Sequence, residues 1–132
     1  MQAKRWLMVA ALCAFTAVAV GAFAAHGLKA ILSVKELAWL DTASRYQMYH
    51  ALALLGVATL QARGVGDKWL QISACFFVGG ILLFCGSLYA LAFVSVKWLV
   101  YVTPLGGLLF LVGWGALFVA AVKLTENTQQ KV

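Results

Sequence analysis

Charged residues divide this chain into four long uncharged runs, and that spacing limits its fold more than any other feature. A helix needs about 20 mostly apolar residues to cross a bilayer. The first run, Trp6 to Ala25, has that length. The second lies between Arg45 and Arg63, the third between Lys68 and Lys97, and the fourth between Lys97 and Lys123. The second is the shortest and most polar, holding Gln47, His50 and Gln61. It can cross only if a packed neighbour hides its polar groups and its ends snorkel or sit in a locally thin bilayer.

Composition agrees. Apolar residues make up 64% of the 132 residues and charged residues 11%. A soluble domain averages about 45–50% apolar and about 25% charged, so this chain lacks the polar surface to face water all round. We expect one all-α membrane domain. It is an antiparallel four-helix transmembrane bundle, with spans over about residues 6–26, 45–62, 70–94 and 103–122. A rival reading takes Lys4-Arg5, the apolar stretch and Ala22-Phe23-Ala24 as a cleaved signal peptide. The run is longer than a usual signal core and continues into further apolar sequence, so we expect it to be retained.

The connector from Gly27 to Arg45 is long for a bundle loop and should have structure of its own. Ser33-Val34-Lys35-Glu36 reads as a capping box, with Leu32 and Leu37 at the staple positions. Asp41 and Arg45 are four apart in the favourable order for a helical ion pair. A short amphipathic helix is therefore predicted from Val34, leading toward span two. Thr103-Pro104 reads as an N-cap followed by Pro at the first helical position, which would start span four there. Alternatively Pro104 lies inside a longer helix.

Small residues mark the expected helix contacts. They are Ala17, Gly21 and Ala25 in span one, Gly79 and Gly86 in span three, and Gly106, Gly113, Ala116 and Ala120 in span four. In lipid, helices associate where small side chains let backbones approach. A pore lining or hinge is the functional reading of these glycines, and close packing the plainer one.

The net charge of +6 comes from single residues scattered between apolar runs, not from a basic stripe. It fits loop charge that orients helices and excludes nucleic acid as a partner. With four spans, one side holds Lys4, Arg5, Arg63, Lys68, Lys123 and Lys131, and the other Lys29, Lys35, Arg45 and Lys97. The larger share lies with the termini, which places both in the cytoplasm.

Few groups could carry chemistry. Cys13, Cys75 and Cys85 all lie in apolar runs. Cys75 and Cys85 stand about 15 Å apart along one helix, beyond the roughly 7 Å a disulfide allows, and all three read as small packing residues. The polar candidates are His26, closing span one, and Arg45, Tyr46, Gln47, Tyr49 and His50, opening span two. Antiparallel spans would bring His26 and His50 together near the outer boundary, with Tyr46 orienting His50. Two histidines could bind a metal or relay protons. No acidic or cysteine partner stands nearby in the sequence, so the plainer reading is helix-to-helix hydrogen bonding. No phosphate loop, H-E-x-x-H or G-x-S-x-G motif occurs. We expect no enzyme, no cofactor and no metal.

Three stretches carry a resemblance. Gly21-Ala22-Phe23-Ala24-Ala25-His26-Gly27-Leu28, Tyr46-Gln47-Met48-Tyr49-His50-Ala51-Leu52-Ala53-Leu54 and Thr103-Pro104-Leu105-Gly106-Gly107 resemble, in order, the signature stretches of the YgdD/YwdK family. These are small bacterial inner-membrane proteins, similar to a small eukaryotic transmembrane protein. The resemblance covers essentially the whole chain. It departs at Ala24, where the family often has a second Gly, so the contact there is expected to be looser. It implies a four-span inner-membrane protein and no established activity. Three roles follow as expectations. The first is a structural or accessory component that packs against a larger complex or binds lipid. The second is an oligomeric small-solute transporter or channel. The third is a redox or quinone-associated protein using the histidine cluster.

Overall fold

A computed structural model describes residues 2–65, 68–94 and 96–129, with side chains described through 124. Its elements are α1 (Gln2–His26), α2 (Val34–Ala62), α3 (Lys68–Phe93) and α4 (Leu99–Gln129). Among the described residues three helices are long and apolar enough to cross a membrane: Gln2–His26, Lys68–Phe93 and Leu99–Leu124. The remaining helix, α2, is 29 residues long and more polar.

The capping box at the start of α2 forms as the residues dictate. The Glu36 amide donates to Ser33 Oγ at 3.3 Å, and the Ser33 amide donates to Glu36 Oε2 at 2.7 Å. That last bond holds the exposed Glu36 carboxyl below the usual carboxylate range. The expected short helix is not a separate element. No Gly or Pro interrupts Val34 to Leu55, so the helix that begins at the cap runs on to Ala62. It ends in a Schellman motif. Gly64 adopts φ +83°, its amide donates to Gln61 O, and the Val65 amide donates to Leu60 O.

Helix α4 corrects a second boundary. It begins at Leu99, so Pro104 lies inside it and Thr103 is no N-cap. Thr103 Oγ1 instead meets Ser87 Oγ at 2.7 Å and donates to Leu99 O at 3.4 Å.

Helix α3 contains a π-helical segment, Ile81–Cys85, between α-helical halves. This segment overturns one packing expectation. Seven residues bring Gly79 and Gly86 to one face of a regular α-helix. The π segment holds an extra residue and rotates the second half. A Cβ on Gly79 would lie 3.1 Å from Leu109 Cδ1, whereas one on Gly86 would meet nothing within 4 Å.

Of the other small residues, Ala25 is exposed and its neighbour Ala24 is buried in its place, while the rest pack as expected. Ala17 is buried, and a Cβ on Gly21 would touch Ser44. Gly106 lies against the backbone of Phe84 so closely that a Cβ would collide with its nitrogen. Gly113 makes room for the Phe77 ring, and Gly80, which the sequence reading passed over, does the same for Phe110. Helix α1 packs chiefly on α2, and α3 on α4, each pair antiparallel. Backbones of α2 and α4 make few close approaches, and side chains span the gap between them. Leu7, Leu12, Phe15, Phe23, Leu108, Leu111 and Phe118 are all more than half or nearly half exposed, an outer surface suited to lipid.

Candidate functional site

Two polar residues of α2, Gln47 and His50, point inward and are fully engaged. Gln47 is buried. Its amide nitrogen donates to Cys13 O at 2.8 Å and to Thr16 Oγ1 at 2.6 Å, and its Oε1 accepts from Tyr89 at 2.8 Å. One side chain thus ties α1, α2 and α3 together.

His50 lies one turn further along the same face and is 4% exposed. Its Nδ1 is 2.7 Å from Tyr46 O, and its Nε2 accepts from the Trp114 indole at 3.1 Å. An indole N–H can only donate, so Nε2 carries no proton. The ring is then neutral, with its hydrogen on Nδ1 donated to Tyr46 O. The imidazole stacks on Phe110 at 3.5 Å and 8°, with Phe77, Trp114 and Tyr46 completing an aromatic surround. Gly80 and Gly113 make this surround possible, since they accept the Phe110 and Phe77 rings against the α3 and α4 backbones.

Two further bonds join helices. Trp6 Nε1 donates to Gln71 Oε1 at 2.9 Å across α1 and α3, and the Ser87–Thr103 pair joins α3 to α4. The Gln47, Trp114–His50, Trp6–Gln71 and Ser87–Thr103 links all run between helices. In lipid an unpaired polar group is costly, so each link fixes register as well as adding stability.

The expected cluster is only partly brought together. Gln47, His50 and the Tyr46 carbonyl share one site. The Tyr46 ring stands partly exposed, 4.8 Å from Phe84. Arg45 points outward and pairs with exposed Asp41. His26 is the clear correction. It is exposed at the end of α1 and does not approach His50. Gly21 faces Ser44, and Thr16 faces Gln47, so His50 is level with the first half of α1. His26 is left roughly 18 Å away along the axis. The reason is the early start of α2: its first residue is Val34, not Arg45, which carries His50 to the middle of the bundle.

Sequence reasoning missed Tyr89, Phe110 and Trp114. A signal existed. Aromatic anchors belong at the ends of spans, whereas Tyr89 and Trp114 lie well inside their apolar runs, where a hydroxyl or indole N–H needs a partner. All three cysteines are free, and among the described residues no group of three or more metal-ligating side chains occurs.

Comparison with known proteins bears on the fold that holds this site. A family described as "Protein of unknown function (DUF423)" matches residues 20–107. The chain is 48% identical over 120 residues to a UPF0382 membrane protein of Haemophilus influenzae, covering 91% of this chain and 95% of that one. It is 40% identical over 127 residues to the UPF0382 inner membrane protein YgdD of Escherichia coli K12, covering 96% of each. A UPF0382 membrane protein of Staphylococcus saprophyticus is 42% identical over 122 residues, covering 92% of this chain and 99% of that one. No solved structure matches the chain.

Proposed function

This chain belongs to the DUF423 family of membrane proteins, and from that premise we propose that it is a structural or accessory component of the bacterial inner membrane. In this reading α2 is a fourth span and both termini are cytoplasmic. At about 43 Å, α2 is longer than the roughly 30 Å hydrocarbon core. Its first turns, with the exposed Asp41–Arg45 pair, then lie outside the core while Gln47 and His50 lie within it. Their partners on α1, α3 and α4 supply the concealment that a polar span needs. The Escherichia coli relative's name, an inner membrane protein, supports the location.

The observation that carries the reading is the engagement of both His50 nitrogens by Tyr46 O and Trp114. A relay or ligand histidine needs a nitrogen facing a path or an ion. Here Nδ1 closes on the backbone of its own helix and Nε2 holds α4 instead.

Proton flux into proteoliposomes holding a pH-sensitive dye tests this. A structural component gives the same leak as protein-free vesicles, for the wild type and for His50→Leu. A wild-type flux that His50→Leu abolishes, with the bundle still folded, overturns the reading in favour of transport.

A further inference from the structure

Between α2 and α4 the backbones stay apart. The gap forms an open groove of about 630 Å³. Its α2 wall is one continuous face, Leu52, Leu55, Gly56 and Leu60, ending at Arg63, with Leu117 of α4 opposite. From Leu52 to Arg63 is eleven residues, roughly 16 Å of helix. One leaflet of a bilayer is about 15 Å of hydrocarbon. The groove is thus one acyl chain long, apolar along its walls, and cationic where a headgroup would sit.

Among the side chains described, the charged ones around that end are all cationic; Asp67 and Glu126 are not among the side chains described. Lys68 Nζ and Lys123 Nζ both stand over the Trp69 ring, at 5.7 and 5.5 Å. Arg63 caps the neighbouring end of α2, is exposed, and makes no ion pair among the described residues. Lys4 and Arg5 begin α1 at the same end, which the Trp6–Gln71 bond places beside the start of α3. The wall itself is built to stay open. A Cβ on Gly56 would meet nothing within 4 Å, so this glycine is not a packing contact but a shallow point in the face.

We propose that the α2–α4 groove is a binding site for an anionic phospholipid, one acyl chain lying along Leu52–Leu60 and the phosphate held by Arg63 with Lys68 and Lys123 nearby. The inference deepens the accessory reading by naming the lipid class, and it rests on α2 crossing the bilayer. A zwitterionic lipid has the chain but presents its own cation to the same cluster. Charge complementarity therefore selects the anionic headgroup.

Native mass spectrometry of the full chain in detergent micelles tests the site, with phosphatidylglycerol or phosphatidylcholine added at equal concentration. The wild type retains phosphatidylglycerol in preference to phosphatidylcholine. Arg63→Gln weakens phosphatidylglycerol retention about fivefold, the effect of one interfacial cation, and leaves phosphatidylcholine unchanged. Gly56→Leu fills the groove without meeting a neighbour at Cβ and reduces retention of both. Equal retention of the two lipids by the wild type overturns the proposal. So does an anionic preference that survives both variants, which would assign it to diffuse surface charge. A dimer that Gly56→Leu abolishes would show a second copy in the groove and also overturns it. None of these outcomes depends on the proton-flux result, so the lipid site and the structural reading fail separately.

Discussion

The indole of Trp114 donates to Nε2 of His50 at 3.1 Å, and this bond joins α4 to α2 across a gap their backbones do not close. It also decides the state of the histidine. A donor that cannot accept leaves Nε2 bare and puts the ring hydrogen on Nδ1, toward Tyr46 O. The stack on Phe110 then holds the ring in that plane.

The tautomer is directly observable. Nitrogen chemical shifts of labelled His50 should show Nδ1 protonated and Nε2 bare in the wild type. Trp114→Phe keeps the ring and deletes the donor. It should lose this single tautomer and lower stability by about 1 kcal/mol, measured by thermal unfolding in detergent. A wild-type spectrum with Nε2 protonated contradicts the assigned bond.

Gln47 should be the most sensitive polar position. Gln47→Leu removes three bonds at once and leaves Thr16 and Tyr89 without their partner. At about 0.6 kcal/mol for each bond between membrane helices, the loss is about 2 kcal/mol. Tyr89→Phe, which removes one, should cost about a third as much. Equal losses in thermal stability would show that Gln47 finds other partners.

The glycines should divide sharply. Gly106→Ala drives a Cβ into the Phe84 backbone, which cannot move aside, and should cost about 1–3 kcal/mol. Gly113→Leu should exceed Leu109→Ala, since it displaces the Phe77 ring from beside His50. Gly86→Ala meets open space and should be neutral or stabilising. Thermal midpoints of the three glycine variants, ranked together, check the order.

Acid should weaken the start of α2. Glu36 has a carboxyl lowered in the folded state by the Ser33 amide. A lowered carboxyl contributes stability above its unfolded value and loses it as pH falls through its folded one. The wild type should therefore lose stability between neutral and strongly acid pH. Glu36→Gln should lose less over the same range, because its side chain can still reach the Ser33 amide without titrating. Parallel pH profiles would show that the capping carboxylate contributes nothing.

Reporter fusions address topology. Fusions at the C-terminus and in the 63–68 loop should both report the cytoplasm, as expected for four spans with the larger Lys and Arg share inside. A C-terminus outside would overturn either the span count or the orientation.

Much of this protein was legible from residue order. Apolar run length determined three helices able to span a membrane, because lipid admits only a helix whose backbone bonds close internally. Ser33 and Glu36 determined where α2 begins, because a capping box acts within one turn. Gly21, Gly106 and Gly113 announced close contacts, because little but small residues permits them. Local chemistry is enough for each of these.

What only the tertiary structure decided depends on phase and register between helices. The π segment in α3 turned Gly86 away from the packed face and left Gly80 to receive Phe110. The uninterrupted run of α2 from Val34 moved His50 to mid-bundle, beside Trp114, and left His26 exposed at an end. Tyr89 and Gln47 are 42 positions apart, and no local pattern joins them. A polar side chain in an apolar run announces that it needs a partner. Which partner it finds is set by how far each helix slides and rotates against the next, and that is fixed by the packing of all four together.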